Sequence, residues 1–252
     1  LYLPLFHTLG MSAAFAAFAR GAALVLAESF NARTFWDDLR RSGCNRIVGF
    51  VSSLTAYLAK AGAPAGPVPV DFAMVSPITR ETTAFAERLG LGWYDAYGMT
   101  ETSSPLVTDA NSRAYGSCGR PRSGIECRIV DGRDRDAAPG AAGELLVRSA
   151  YRAALNAGYI ANPEATAEAW RGGWFHTGDV FRRDAAGNYY FVDRLKDAIR
   201  RRGENISSFE VEHEIAAFPG VAACAAVAVP GAYGDDEVLA AAAPAAGATI
   251  DP

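Results

Sequence analysis

The residues best suited to chemistry stand together in one short segment, Tyr97–Glu101 (YGMTE), which follows an apolar stretch. Its ring, its bare backbone position, its hydroxyl and its carboxylate could each meet one part of a nucleotide. A base stacked on an aromatic ring gains roughly 1–3 kcal/mol, and a carboxylate can bind magnesium together with phosphate oxygens. Because ligands bind at the carboxyl ends of strands in α/β sheets, the segment is a candidate nucleotide site. Taken alone, it is equally consistent with a solvated loop.

Two later segments, 172–180 (GGWFHTGDV) and 193–207 (DRLKDAIRRRGENIS), also combine glycine with charged residues. In the first, Gly178 allows a tight turn that would project Asp179, whose carboxylate could accept hydrogen bonds from both hydroxyls of a ribose. A hairpin turn is the simpler interpretation of that segment alone. In the second, Gly203 and its neighbours interrupt any long helix, which argues against a solvated helix face.

The elements that must position these segments alternate over the first part of the chain. Apolar runs of strand length separate amphipathic stretches, and glycines mark the helix ends. Helices are predicted at about 11–20, 34–43, 52–62 and 80–90, and strands at 22–27 (AALVLA) and 46–50 (RIVGF). This alternation predicts an α/β fold, with a mostly parallel sheet and flanking helices.

The pattern changes after residue 110. Alternating strands are predicted at 125–130, 144–149, 172–180 and 187–194, which indicates a small antiparallel sheet or β-barrel-like subdomain from about 115 to 192. Ser207 and Glu210 then form a capping-box pattern, so a helix is expected there, followed by a strand at 221–230. We therefore divide the chain into an α/β subdomain (1–112), a β-barrel-like subdomain (113–193) and an incomplete α+β domain (194–252).

The three charged or aromatic segments, in this order, resemble motifs of the adenylate-forming (AMP-binding) superfamily of acyl-CoA synthetases, luciferases and peptide-synthetase adenylation domains. The similarity covers nearly the whole chain. Within the superfamily, segments such as FNARTFWDDL and GENISSFEVE look most like crotonobetaine/carnitine–CoA ligases, or medium- and long-chain fatty-acid–CoA ligases. The resemblance implies that ATP activates a carboxylic acid as an acyl-adenylate and that coenzyme A then takes the acyl group. ATP or AMP, Mg²⁺ and coenzyme A are therefore the expected ligands.

The resemblance also implies which residues bind the nucleotide. Tyr97 would stack on adenine, with Asp95 near the exocyclic amine, and Asp179 would bind the ribose hydroxyls with support from Arg194. The complete set of implied nucleotide and coenzyme A contacts is Asp95, Tyr97, Gly98, Met99, Thr100, Asp179, Arg194 and Gly203.

Catalytic roles follow from the same resemblance. Thr100 would contact a phosphate and Glu101 would hold Mg²⁺. Lys196 falls at the position about which the C-terminal domain of the family swings, and Arg200 would act in the second half-reaction. Gly203 would line the pantetheine tunnel, where a residue without Cβ leaves room for the thiol arm.

The acyl pocket is expected to include His7 of the segment PLFHTLG, Ser76 and Thr102. At 75–78 the chain has Val-Ser-Pro-Ile where most members carry a Gly-Gly-Ala-Pro-like segment, which puts that wall of the adenine pocket in doubt. The family's phosphate loop would precede residue 1 and its C-terminal catalytic lysine would follow residue 252. The chain alone is therefore expected to have little adenylation activity.

Composition and charge argue against several other classes of function. The chain has 252 residues, of which 50% are hydrophobic, and a formal net charge of -4, so it lacks the basic surface that nucleic acid requires. Its four cysteines and three histidines are scattered, which signals neither a disulfide framework nor a zinc site. Arg20 and Gly21 divide the most apolar stretch into pieces too short to span a bilayer. We expect a cytoplasmic protein, with a homodimer left open.

Alternatives to the CoA ligase stay open. An adenylation domain could load an acid onto a carrier protein, although GENIS and the arginines beside it favour coenzyme A. A non-catalytic, nucleotide-binding remnant is the alternative from a different class.

Overall fold

The computed structural model describes residues 1–51, 55, 58, 64, 66–151, 153–195, 199–201, 204–230 and 236–250. These residues form two compact units. The first consists of Leu1–Cys127, Val147–Trp174 and Asp184–Tyr190, and the second of Arg128–Leu146, Phe175–Arg183 and Phe191–Pro252. The three-part division made from the sequence stays a prediction.

A parallel sheet with strand order β1-β2-β3 lies in the first unit. Its strands are β1 (Arg46–Val51), β2 (Phe72–Ser76) and β3 (Gly92–Tyr94), and the helices of the same unit include α1 (Thr8–Ala19), α2 (Phe35–Ser42) and α3 (Arg80–Arg88). Phe72 of β2 is paired with Arg46 on one side and with Gly92 on the other. The predicted α/β class is confirmed, as are the strand at 46–50 and the helices near 11–20, 34–43 and 80–90.

The core of this unit is built around the central strand β2. Ala73 and Val75 are buried there in one cluster with Phe35 and Trp36 of α2 and Phe85 of α3. A central strand covered by helices is apolar along most of its length, as β2 is. Each large apolar side chain that becomes fully buried contributes roughly 1.5–3 kcal/mol, so this cluster anchors the loops that follow β2 and β3.

The helix ends follow from local sequence. Gly43 ends α2 with φ +66°, a conformation that glycine adopts without strain. Thr79 begins α3 with a reciprocal cap, in which the Thr79 hydroxyl accepts from the Thr82 N–H at 3.1 Å and the Thr82 hydroxyl from the Thr79 N–H at 2.9 Å. Thr82, three residues after the N-cap, accepts from the N-cap N–H, as glutamate does in the usual capping box.

The predicted strand at 22–27 is wrong. These residues form no regular element and most are exposed. Their backbone hydrogen bonds include those from the Ala22 N–H to the Ala17 carbonyl at 2.9 Å and from the Ala27 N–H to the Leu1 carbonyl at 2.8 Å. An apolar run fits a strand only where a neighbouring strand and a covering face are available. The predicted helix at 52–62 lies almost entirely outside the described residues. Within it, only Thr55 and Leu58 are described, and both are helical and buried.

A seven-stranded sheet has the order β4-β5-β6-β10-β9-β8-β7. Its strands are β4 (Ala96–Met99), β5 (Ser103–Val107), β6 (Ser117–Pro121), β7 (Ile125–Val130), β8 (Gly143–Ser149), β9 (Phe175–Arg183) and β10 (Tyr189–Arg194). The pairs β4–β5, β5–β6 and β6–β10 are antiparallel, as predicted for this part of the chain. The sheet includes β4 and β5, however, and so begins earlier than residue 115. Helix α4 (Pro163–Ala169) and a 3-10 turn at Arg171–Gly173 lie between β8 and β9 in sequence.

The last part of the chain forms two strand pairs and one helix. Strands β11 (Ile199–Arg201) and β12 (Glu204–Ile206) pair antiparallel, as do β13 (Val221–Pro230) and β14 (Asp236–Pro244), and α5 (Ser208–Ala216) lies between the two pairs in sequence. The predicted helix and strand are confirmed. The spacing of Val211, Ile215 and Phe218 predicts an apolar stripe that faces the core, but Phe218 is 66% exposed. None of the described helices is long and apolar enough to cross a membrane.

Candidate functional site

Asp95 lies between β3 and β4, where the chain leaves the parallel sheet, and is only 4% exposed. Its Oδ1 accepts from the Ala96 N–H at 2.7 Å, and its own N–H donates to the Thr108 hydroxyl at 2.8 Å. Burial raises the pKa of Asp95 to about 6, against hydrogen bonds from the Ser76 hydroxyl and from the N–H groups of Ala96 and Ile78 that lower it. Ser76, predicted for the acyl pocket, thus contacts the residue predicted to lie near adenine.

Strand β4 carries Tyr97, Gly98 and Met99. Tyr97, which is half-buried, pairs with Leu106 of β5. A Cβ at Gly98 would lie 1.9 Å from the carbonyl oxygen of Ser103, so glycine is required by the approach of β5. This requirement differs from the approach of a nucleotide, which the sequence suggested. Gly98 therefore has a structural reason of its own, and its nucleotide contact stays a prediction.

Glu101 stands in the tight turn between β4 and β5, next to the exposed Thr100. Its Oε1 accepts from the Tyr159 hydroxyl at 3.0 Å, and its carbonyl oxygen accepts from the Asn156 N–H at 2.8 Å. Burial, and then the hydrogen bond to Glu101, raises the pKa of Tyr159. Within the described part of the chain, no group donates to Glu101 Oε2. Among the described residues, its carboxylate is thus held through Oε1 alone.

The loop that holds Glu101 is itself anchored. The Trp170 indole N–H donates to Asn156 Oδ1 at 3.1 Å, and the Tyr159 N–H donates to the Thr166 hydroxyl of α4 at 2.9 Å. Sequence reasoning missed Tyr159 and Asn156 because they lie more than fifty residues after Glu101. Nothing in the segment YGMTE points to them.

Thr102 is completely buried, and its hydroxyl has no hydrogen-bond partner among the described residues. A buried hydroxyl without a partner costs about 1–3 kcal/mol, so it is a candidate contact for a bound group. His7, by contrast, is exposed, and its Nδ1 accepts from the Leu9 N–H at 3.2 Å as the N-cap of α1. The acyl-pocket roles of Thr102 and His7 stay predictions.

Asp179 and Arg194 come together in the second unit. Gly178 lies inside β9 with φ +71°, so the turn predicted at this glycine is wrong and the strand runs through it with one left-handed residue. The Asp179 side chain that follows is only 14% exposed. Arg194 Nε at the end of β10 lies 3.8 Å from Asp179 Oδ1, and the Arg194 side chain is 59% exposed. The two side chains are thus neighbours, and their roles toward a ribose stay predictions.

The neighbouring Asp193 was missed by the sequence analysis. It is buried, and its carboxylate accepts from the Arg194 N–H and from the Ser208 N–H, both at 2.7 Å. It therefore links the end of β10 to the first turn of α5, where a negative charge is favourable.

A second group of titratable side chains lies in the same unit. Asp134, Glu144 and His176 offer oxygen and nitrogen atoms that all lie within 4.8 Å of one another. His176 and Glu144 are buried, with His176 Nδ1 and Glu144 Oε2 2.9 Å apart. In the sequence the three histidines are scattered, and no motif brings these three residues together.

The remaining predicted residues belong to the hinge segment. Lys196 and Gly203 lie outside the described residues, and of Arg200 the structure describes only the backbone, in β11. Their roles stay predictions.

Comparison with known proteins identifies relatives of the chain. Residues 1–159 match the family profile described as AMP-binding enzyme. Sulfoacetate–CoA ligase from Cupriavidus necator is 37% identical over 246 residues, which are 94% of this chain and 47% of that protein. Crotonobetaine/carnitine–CoA ligase from Salmonella arizonae is 34% identical over 227 residues, 87% of this chain and 44% of that protein. The chain spans about half the length of the curated relatives it matches.

Solved structures show the same fold. O-succinylbenzoate coenzyme A synthetase from Bacillus subtilis, in complex with ATP and a magnesium ion, aligns with a TM-score of 0.85 and 25% identity over 96% of this chain and 50% of its own. An amide bond synthetase from Marinactinospora thermotolerans aligns with a TM-score of 0.84 and 29% identity over 99% of this chain and 52% of its own.

Proposed function

Because the chain belongs to the family of AMP-binding enzymes, we propose that the protein carrying it is an ATP-dependent carboxylate–CoA ligase. In the first step, a carboxylate oxygen of the acid attacks the α-phosphorus of ATP, so that pyrophosphate leaves and an acyl-adenylate forms. In the second step, the thiol of coenzyme A attacks the acyl carbon and loses its proton, while AMP leaves and the thioester remains.

The observation that carries this proposal is the environment of Glu101. One of its carboxylate oxygens is held by the Tyr159 hydroxyl, while the other has no donor within the described residues, and Thr100 is exposed beside it. Hard oxygen donors of this kind suit Mg²⁺, which takes protein carboxylates together with substrate phosphates. When bound, the ion would neutralise charge on the phosphates. Glu101 would hold it, and the Thr100 hydroxyl would orient a phosphate oxygen.

The roles of the other predicted residues are supported to different degrees. Tyr97 offers a ring on β4 for adenine, with the carboxyl of Asp95 for its exocyclic amine. Asp179 offers a carboxylate, which only accepts hydrogen bonds when ionised and so suits the two hydroxyls of ribose. Arg194 would support the ribose and the phosphate.

The acceptor and the acid are proposed from the relatives. Two curated relatives are CoA ligases, which favours coenzyme A as the acyl acceptor. In that second step Lys196 would be the hinge, Arg200 would act in thioester formation and Gly203 would lie at the thiol arm. The named acids of the two relatives differ in charge, since one carries a sulfonate and the other a quaternary ammonium. We therefore propose a carboxylic acid without narrowing its class. A cytoplasmic location, where ATP and coenzyme A are available, and a homodimer stay predictions.

The proposal is tested on the full-length protein with ATP, Mg²⁺ and a panel of sulfonated, betaine-type, fatty and aromatic acids. Each acid is offered with coenzyme A, with a phosphopantetheinylated carrier protein or with a primary amine, and products are identified by mass spectrometry. We expect AMP, pyrophosphate and an acyl-CoA with at least one acid. Product with the carrier protein or the amine alone, or ADP in place of AMP, would overturn the assignment.

A further inference from the structure

The backbone of β9 just before Asp179 is held by a side chain of another strand. The N–H of Gly178 donates to Glu144 Oε1 at 3.0 Å, so this backbone group has a carboxylate of β8 as its acceptor. The other oxygen of Glu144 lies 2.9 Å from His176 Nδ1. Because an ionised carboxylate only accepts, the Nδ1 atom carries the proton in this pair.

The carboxylate of Glu144 is buried, so it depends on the hydrogen bonds that it accepts. Glu144 and His176 are each 8% exposed. A buried carboxylate costs several kcal/mol unless hydrogen bonds compensate its charge, and here a backbone N–H and an imidazole N–H do so. Thr177 already joins β9 to β8, since its hydroxyl donates to the Leu145 carbonyl at 2.8 Å. The pairing of β8 and β9 therefore does not depend on the buried carboxylate of Glu144.

The same contacts restrain the backbone of Asp179. The peptide group before Asp179 is engaged at both ends: its N–H donates to the Thr177 hydroxyl at 3.1 Å, and the Gly178 carbonyl accepts from the Leu195 N–H at 2.8 Å. With Gly178 N–H bound to Glu144, two successive peptide planes are fixed. Their orientation sets the direction in which the Asp179 side chain leaves the strand.

We propose that Glu144 is a positioning residue for ribose binding, acting on Asp179 through its hydrogen bond to the Gly178 N–H in β9. It does not contact the ribose; it holds the carboxylate of Asp179 in the direction needed to accept from both hydroxyls. Thr177 has the same role through its hydroxyl, which accepts from the Asp179 N–H. This inference rests on the proposed function, in which Asp179 binds the ribose.

The test uses equilibrium binding of AMP and of 2′,3′-dideoxy-AMP to the full-length protein, measured by calorimetry. The ratio of the two dissociation constants reports the ribose contacts and is insensitive to a uniform loss of active protein. The variants are Glu144→Ala, Glu144→Gln, Thr177→Val and Asp179→Ala, with Glu126→Ala as the matched control. Glu126 is an exposed glutamate on β7 that pairs with Arg148.

The expected pattern separates positioning from general damage. Hydrogen bonds to a charged group are worth about 1.5–3 kcal/mol, so the wild type should prefer AMP by roughly 10-fold or more. Asp179→Ala should abolish the preference, and Glu144→Ala and Thr177→Val should reduce it at least about 5-fold, with dideoxy-AMP binding changed less than about 2-fold. Glu144→Gln should keep most of the preference, because its amide can accept from Gly178 and donate to the other tautomer of His176. Glu126→Ala should match the wild type.

Several outcomes would overturn the inference. One is a ratio of dissociation constants that stays at the wild-type value in Thr177→Val and Glu144→Ala, while Asp179→Ala loses the preference for AMP. Another is stoichiometric zinc that survives dialysis in the wild type and is lost in Glu144→Gln, which would make Asp134, Glu144 and His176 a metal centre. A wild type that binds both nucleotides equally, or neither, would instead contradict the proposed function itself.

Discussion

Asp95 is the residue at which burial and charge oppose each other most clearly. Burial raises its pKa to about 6 from an ordinary value of 3.8. The folded protein therefore holds more protons than the unfolded chain between these two values. Stability must fall as the pH rises through this window, because ionisation of the buried carboxyl is disfavoured.

This shift predicts a pH-dependent effect of Asp95→Asn. The amide cannot ionise, so the free energy of unfolding of D95N relative to the wild type should rise by up to about 3 kcal/mol between pH 4 and pH 7. Urea unfolding at intervals across this range measures it. Asp109→Asn, at an exposed carboxylate, is the control and should follow the wild type. Parallel pH profiles for D95N and the wild type would show that Asp95 ionises in the folded protein as it does in solvent.

Single residues were predicted from the sequence where their chemistry is visible in their own segment. Tyr97, Glu101 and Asp179 stand in such segments. Tyr159 and Glu144 could not be found in this way, because each acts on a residue more than thirty positions away in sequence. The hydrogen bonds through which they act are created by the fold and leave no pattern in the sequence.

At the level of elements, helix α5 shows how much a local pattern decides. The Ser207 hydroxyl accepts from the Glu210 N–H at 3.1 Å and donates to the Val192 carbonyl at 2.9 Å. The first bond is the one the capping-box pattern predicts. The second, a contact to β10, has no signature in sequence. Within the described part of the chain, the reciprocal bond from the Ser207 N–H to the Glu210 side chain is not formed.

Ser207→Ala should therefore loosen α5, and Glu210→Gln should not. Loss of an N-cap costs typically about 1 kcal/mol, which corresponds to roughly 5-fold faster amide exchange in the helix. Hydrogen–deuterium exchange of peptides covering α5 measures the difference, with peptides of β13 as the internal reference. Equal exchange in S207A and the wild type would mean that contacts elsewhere hold the helix start.

The fold class was predictable because periodicity survives without tertiary information. Strand β1 and helices α2 and α3 follow from apolar spacing and from residues such as Gly43 and Thr79. The segment 22–27 has the composition of a strand but, among the described residues, no neighbouring strand to pair with, and its sequence alone does not show this. The early start of the antiparallel sheet at β4 was missed for the same reason, since YGMTE suggests a loop rather than a paired strand.

At the level of the whole molecule, the chain forms two compact units and covers 47% of the length of the sulfoacetate–CoA ligase it resembles. Glu101 with Tyr159 belongs to the first unit, and Asp179 with Arg194 and Glu144 to the second. We propose that these residues together serve carboxylate activation by ATP.

Acid-dependent exchange of labelled pyrophosphate into ATP tests this role, measured on the full-length protein and on Glu101→Gln, Asp179→Asn and Glu126→Gln. We expect exchange that requires the acid, a rate about 100-fold lower in E101Q, a KM for ATP about 10-fold higher in D179N and no change in E126Q. Exchange that proceeds without any acid, or that stays within about 2-fold of the wild type in both E101Q and D179N, would contradict it.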